Sequence, residues 1–275
     1  MSIPHSKLSR FDLGVSMASV APVATPILEA RGLSRSFGNV RALDDADFDI
    51  YPGEVVALIG DNGAGKSTMV KALSGSLAVD TGEILFDGTA VDLDSPTVAA
   101  ELGIETVFQD LALAPHLNAQ QNMFLGRELP AKGLLGHLGF LDVSTMRKQS
   151  QDALNELGAT VRSLTVPVGA MSGGQQQAIA IARAVAWAKG VVFLDEPTAA
   201  LGVVQTRNVL DTIRRVADRG VAVVFISHSM PHVMEVADRV QVLRMGKRVA
   251  TLDAKNTTME ELVGAMTGAT TGATR

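Results

Sequence analysis

The chain has no cysteine. That excludes a disulfide framework, a thiolate zinc site and a cysteine nucleophile, and it suits a reducing compartment. A membrane-length apolar run is also missing: the most apolar helical stretch, 178–188, is about half the length of a bilayer span and carries Arg183, so it reads as a core helix. There is no basic surplus. The 24 Lys and Arg stand against 29 Asp and Glu, a formal charge of −5 with a pI near 5.5. Such a balance gives no general field for a polyphosphate backbone, and no nucleic-acid partner is expected. No internal repeat is visible in the 275 residues, so at most one copy of any motif is available. What the chain does have is 47% hydrophobic residues, ample for a buried core.

The most informative segment is Gly60-Asp61-Asn62-Gly63-Ala64-Gly65-Lys66-Ser67-Thr68, directly after the apolar run Val55–Ile59. A glycine-rich turn between a buried strand and a helix-like segment, here Met69–Leu73, is built to hold phosphate. Glycines let the backbone turn tightly and aim its amides inward, Lys66 brings a mobile cation to the terminal phosphates, and Ser67 offers a hydroxyl to Mg²⁺. The reading is therefore a nucleoside triphosphate site.

Two further constellations support it. Val191–Leu194 leads into Asp195-Glu196-Pro197, placing two carboxylates at the carboxyl end of a strand, the edge where an open parallel sheet presents its ligands. Asp195 suits a metal-holding role. Glu196, ordinarily ionised above a pKa of about 4.3, suits proton abstraction from an attacking water. On its own such a pair is more often a polar loop; next to a phosphate cradle it reads as catalytic. Ser172-Gly173-Gly174-Gln175 opens the helical pattern 176–187 and forms a second helix N-terminus, a ready anion site. His228 follows the apolar run 221–226 in the same strand-then-loop arrangement.

The chain as a whole alternates strand and helix. Ile27–Ala30 and Ala46–Ile50 alternate in polarity and predict strands of a small antiparallel layer. Glu83–Phe86, 104–108, 191–194 and 221–226 predict further strands, the last two buried on both faces. A helix is expected over 205–219, ended by Gly220, and a hairpin over 240–251 around Met245-Gly246-Lys247. Between Leu111 and Lys189 the pattern is helical, broken by a Gly- and Pro-containing loop at 129–139 where no regular structure is expected. Residues 1–26 carry Lys7 and Arg10 before a weakly apolar stretch interrupted by Asp12, Gly14 and Ser16. They read as a disordered leader rather than a secretion signal. Residues beyond Thr267 are too rich in Gly and Thr to order themselves.

These residues closely resemble the ATP-binding subunits of ABC transporters. Gly60–Thr68 resembles the Walker A loop, Gln109 the Q-loop glutamine, Met171–Gln175 the signature, Val191–Glu196 Walker B and His228 the switch histidine, all in the family's order. The resemblance implies an α/β fold: a P-loop NTPase core, 27–108 and 190–252, with an antiparallel β layer and a helical insertion subdomain, 109–189. Residues 253–275 would form a C-terminal helix and tail. It also implies roles. Phe37 would stack on adenine, and Asn62, Gly63, Ala64, Gly65, Lys66, Ser67 and Thr68 would wrap the phosphates. Ser67, Gln109 and, more distantly, Asp195 would hold Mg²⁺. Glu196 would polarise the water and His228 contact the γ-phosphate. Ser172, Gly173, Gly174 and Gln175 would read ATP bound to a second copy, so two chains would sandwich two nucleotides.

Two departures from the family pattern stand out. The loop after Walker B ends in Gly202 where aspartate is usual, and Phe37 replaces the commoner tyrosine, losing only a hydroxyl. Segments 103–109, 121–128 and 227–232 resemble sugar-importer ATPases of the ribose and fructose type, in the single-cassette branch. The resemblance implies a membrane permease partner, a periplasmic sugar-binding protein acting through it, and a peripheral place on the cytoplasmic face of the inner membrane. A soluble ABC ATPase acting on ribosomes or nucleic acid is the rival; paired cassettes, long coiled arms or a basic surface would mark it, and none is visible.

Overall fold

A computed structural model describes residues 25–269 apart from 160, 162 and 200. All of the expected leader but residues 25 and 26, and the tail from 270 onward, lie outside the described residues. The chain begins with β1 (Leu28–Phe37), β2 (Val40–Ile50), β3 (Val55–Ile59) and α1 (Lys66–Leu73). It continues through β4 (Thr81–Phe86), β5 (Thr89–Ala90), α2 (Pro96–Leu102) and β6 (Ile104–Val107). Among the described residues, helices and loops follow until β7: α3 (Ala119–Phe124), α4 (Leu134–His137), α5 (Val143–Glu156) and α6 (Gly173–Trp187). Then come β7 (Val191–Asp195), α7 (Val203–Asp218), β8 (Ala222–Ile226), α8 (Met230–Val236), β9 (Arg239–Arg244), β10 (Lys247–Asp253) and α9 (Met259–Thr267).

Two sheets organise the molecule. An antiparallel layer has the order β2-β1-β4-β5, and a six-stranded sheet has the order β10-β9-β3-β8-β7-β6. All but β10 run parallel in the second sheet. Its central strands are apolar at every position because both faces are covered. Val55, Ala57 and Ile59 of β3 join Val192, Leu194, Val223 and Phe225 in a core shared with α3, α5, α6 and α7. Val56, Leu58, Val191, Phe193 and Val224 point the other way, into a core shared with α1 and the antiparallel layer. Alternation along each strand thus assigns every residue to one of two cores. Each fully buried Phe or Leu contributes roughly 1.5–3 kcal/mol.

Several local differences from the sequence reading have identifiable causes. The first two strands are much longer than their alternating cores, since Gly38 (φ 57) and Asn39 close a two-residue hairpin turn that lets Phe37 pair with Val40. Helix α2, not anticipated, is capped by Ser95, has Pro96 at its first position and ends at Gly103 with φ 85. The loop at 129–139 contains the one-turn helix α4, held where Ala131 N–H donates to Phe140 O and Asp142 N–H to Leu129 O, both at 2.8 Å. This protrusion leaves Leu134, Leu135, Leu138 and Phe140 exposed.

Polar stitches fix the antiparallel layer to the larger sheet. The buried Gln241 donates from Nε2 to Asp49 O at 2.6 Å, Arg239 pairs with Glu54 and Asp49, and Arg248 pairs with Asp49. These contacts tie β2 of the antiparallel layer to β9 and β10 of the larger sheet.

Candidate active site

Parallel register brings four loops to one edge. Leu58 lies opposite Ile226, Ile226 opposite Asp195, and Leu194 opposite Val107. Gly60, His228, Glu196 and Gln109 each follow one of these residues by one or two positions, so all emerge side by side at the carboxyl ends of their strands. They border a cleft of about 420 Å³ lined by Phe37, Asn62, Gly63, Ala64, Gly65, Lys66, Ser67, Thr68, Gln109, Asp195, Glu196 and His228.

The cradle is shaped by what its glycines approach. A Cβ at Gly60 (φ 151) would lie 2.1 Å from Leu243 O, and one at Gly65 (φ 106) 2.6 Å from Ala42 O. Neither position tolerates a side chain, and both backbones sit in the region that favours glycine. Gly65 also precedes α1 without a capping side chain, and no acidic residue occupies the first turn. The first amides of α1 therefore face the cleft as free donors with the positive end of the helix dipole behind them, which fits a phosphate. Lys66 is almost fully buried, and its Nζ donates to Gly60 O at 2.6 Å and Asp61 O at 3.0 Å. Burial lowers its pKa from the ordinary lysine value, opposed by Glu196, Asp195 and Asp61.

Across the cleft, Glu196 has φ 50, unusual for a side-chain-bearing residue, and its N–H donates to Ile226 O at 3.0 Å. That bend turns the carboxylate off the strand and into the cleft. Its Oε1 is buried without a hydrogen bond although His228 Nε2 stands 3.1 Å away, leaving an acceptor poised for a donor such as water. Burial raises the Glu196 carboxyl above its ordinary range, with His228 pulling the other way. Asp195 is raised for the same reason, opposed by Lys66 and then His228. Ser229 N–H donates to the buried Ser227 Oγ at 3.1 Å and steadies the His228 loop.

Phe37 ends β1 on the cleft's outer wall with a half-open ring, the Arg35 guanidinium 5.2 Å from its centroid. Arg35 is itself held by Asp80 at 2.8 Å. An exposed ring so placed can stack on a flat base. Among the described residues no three His, Cys, Asp or Glu side chains gather to hold a metal unaided. Mg²⁺ with a nucleotide takes most of its oxygens from phosphate and water and needs only one or two protein ligands. Ser67, Gln109 and Asp195 in the same cleft are a donor set that fits it.

The helix N-terminus expected to be a second anion site is elsewhere. Ser172 caps α6 through a reciprocal box with Gln175, N–H to Oγ at 3.4 Å and N–H to Oε1 at 3.3 Å. One expected free amide is thereby already taken. Ser172, Gly174 and Gln175 line a different cleft, of about 280 Å³, with Gln205 and Asn208 of α7, while a Cβ at Gly173 would meet nothing within 4 Å. Sequence reasoning did not find Val40, Arg41 and Ala42, which also border the first cleft; the Gly38-Asn39 turn was the signal that β2 starts beside Phe37.

A family model described as ABC transporter matches residues 43–199. The chain belongs to the ABC transporter family. Among curated ABC proteins, the fructose import ATP-binding protein FrcA of Rhizobium meliloti is 51% identical over 246 residues, 89% of this chain and 95% of that protein. The xylose/arabinose import ATP-binding protein XylG of Sulfolobus acidocaldarius is 43% identical, covering 88% of this chain and 94% of its own length. The solved ADP conformation of an ATP-binding cassette of an ABC transporter has a TM-score of 0.73 at 23% identity, covering 89% of this chain and 96% of that one. This last likeness carries the ABC cassette fold.

Proposed function

We propose that this chain is the ATP-hydrolysing subunit of a carbohydrate importer. Residues 109–189 would form its helical subdomain, and a separate membrane permease would carry the sugar delivered by a periplasmic binding protein. The observation that carries the reading is one cleft holding Lys66, His228 and a Glu196 whose buried Oε1 has no hydrogen bond, in a chain 51% identical to a fructose import ATP-binding protein.

Phe37 stacks on the adenine, and the amides of residues 63–68 with Lys66 hold the phosphates. Ser67 and Gln109, with Asp195 behind them, would hold Mg²⁺, which would supply charge neutralisation to the phosphates. Glu196 Oε1 accepts a hydrogen bond from the water in line with the γ-phosphate and takes its proton as the new P–O bond forms and the bond from Pγ to the β–γ bridging oxygen breaks, leaving ADP and phosphate. His228 steadies both the carboxylate and the γ-phosphate. Catalysis is then positioning and charge stabilisation, with little covalent work for the protein.

Ser172–Gln175 is remote from this cleft in its own chain and reads the nucleotide of a second copy, so ATP closes a dimer and hydrolysis reopens it. The movement reaches the permease through the helical segment. There Phe124, Leu157 and Trp187 line a groove of about 420 Å³, with Glu156 paired to Arg219 at 2.8 Å beside them, suited to the apolar face of a short permease helix. Reconstitution with the permease and receptor encoded beside it tests the assignment: sugar-loaded receptor should raise ATP turnover. Turnover indifferent to every sugar-loaded receptor would overturn carbohydrate import.

A further inference from the structure

The loop that carries Gln109 is gripped from one helix on both sides. Downstream, Arg183 of α6 donates from Nη2 to Leu111 O at 3.0 Å and from Nη1 to Ala112 O at 2.8 Å. Ala112 sits at φ 47, a left-handed backbone that alanine adopts only when its surroundings enforce it, and its N–H reaches Asp110 Oδ1 at 3.4 Å. Upstream, Glu105 of β6 pairs with Arg127 at 2.8 Å. The Arg127 guanidinium lies 5.0 Å over the ring of Trp187, the last residue of α6. Trp187 Nε1 donates in turn to Met123 O at 3.0 Å. Burial lowers the Arg183 pKa, partly offset by Glu105, yet a guanidinium stays charged at any working pH.

We infer that Arg183 is a positioning residue that locks Gln109 to the helix whose other end is Ser172. The inference rests on the proposed function. Arg183 lies eleven residues beyond Ser172 on one unbroken helix, about 16 Å along its axis. When the partner's nucleotide seats Ser172, α6 moves as a rod, and the planar fork carries the Leu111–Ala112 carbonyls and therefore Gln109 with it. Each chain's Mg²⁺ ligand is thus set by the state of its partner's site. This route needs nothing from residue 202, where this chain has glycine and no side chain to signal with. Lysine cannot replace the fork, since one ammonium lacks the planar pair of donors that spans two successive carbonyls.

The test is steady-state ATP hydrolysis by full-length wild type, Arg183→Lys, Gln109→Ala and the double variant, with Mg²⁺ titrated at saturating ATP. Fluorescent-nucleotide binding and thermal melting are measured alongside. Arg183→Lys should keep nucleotide affinity within about twofold, lower kcat by roughly tenfold or more and raise the half-saturating Mg²⁺ concentration. The double variant should be no worse than Gln109→Ala alone, because both losses pass through the same amide. Independent, multiplying losses would overturn the inference, as would an unchanged Mg²⁺ requirement in a folded Arg183→Lys protein. If that variant melts early, Arg183→Gln, which keeps one donor, is read by the same cycle. Failure of the underlying reading looks different: wild type itself would not hydrolyse ATP.

Discussion

At the scale of single residues, two charged groups share one cleft, and the proposed function gives them opposite jobs. Lys66→Ala should weaken ATP binding by at least tenfold. Glu196→Gln should leave binding intact and lower turnover by two or more orders of magnitude; calorimetry and phosphate release separate the two effects. Burial raises the Glu196 carboxyl, and the sign of the pH effect follows. The folded protein holds that proton more tightly than the unfolded chain, so stability is greatest below the ordinary carboxylate pKa and falls as pH rises through the raised value. Glu196→Gln should therefore melt higher than wild type near neutral pH, with the gap closing in acid. The acid limb of wild-type kcat/KM, which reports the free enzyme, should lie above the usual carboxylate range for the same reason. Phe37→Ala should weaken ATP binding by about 1–3 kcal/mol, the scale of base–aromatic stacking, whereas Phe37→Tyr should bind normally.

Elements decide whether those residues can meet. Gly60→Ala would push a methyl into Leu243 O across the β3–β9 pair, costing roughly 2 kcal/mol or more; denaturant unfolding reads the loss directly. Much at this scale was legible beforehand. The unbroken apolar runs of β7 and β8 announced a doubly covered parallel sheet, and Gly220 (φ 89) stands just past α7 where a stop was expected. The ends of β1 and β2 were not, because β-pairing from Leu28 through Phe37 depends on a partner strand, while polarity alternates cleanly only at the far end. Helix α2 was missed although Ser95, Pro96 and Gly103 spell out its cap, first turn and stop. Its seven residues place Val98, Ala99 and Leu102 on the core side, a single apolar turn too short to stand out as a period.

For the whole molecule, the decisive fact is that the N-terminal ends of α1 and α6 in one chain open onto separate clefts. In the proposed closed pair, each chain would supply what the other lacks. Ser172→Arg should leave nucleotide binding by the monomer unchanged and abolish the ATP-held dimer that Glu196→Gln otherwise accumulates. Light scattering of both proteins at saturating Mg·ATP measures this, and a monomeric Glu196→Gln protein would sink the shared-site mechanism. What the chain determined by itself is chemistry that lives in a few consecutive residues: a glycine turn before a lysine, a carboxylate pair after a strand, a serine opening a helix. Their kinds and order follow from short-range sterics and hydrogen bonding. Which of them share a cleft was decided only by the tertiary structure. The parallel register of β3, β8, β7 and β6 gathers Gly60, His228, Glu196 and Gln109 at one edge, while α6 carries Ser172 away and ties Gln109 back through Arg183. Those distances come from strand pairing and helix packing between residues far apart in the chain, and no local pattern encodes them.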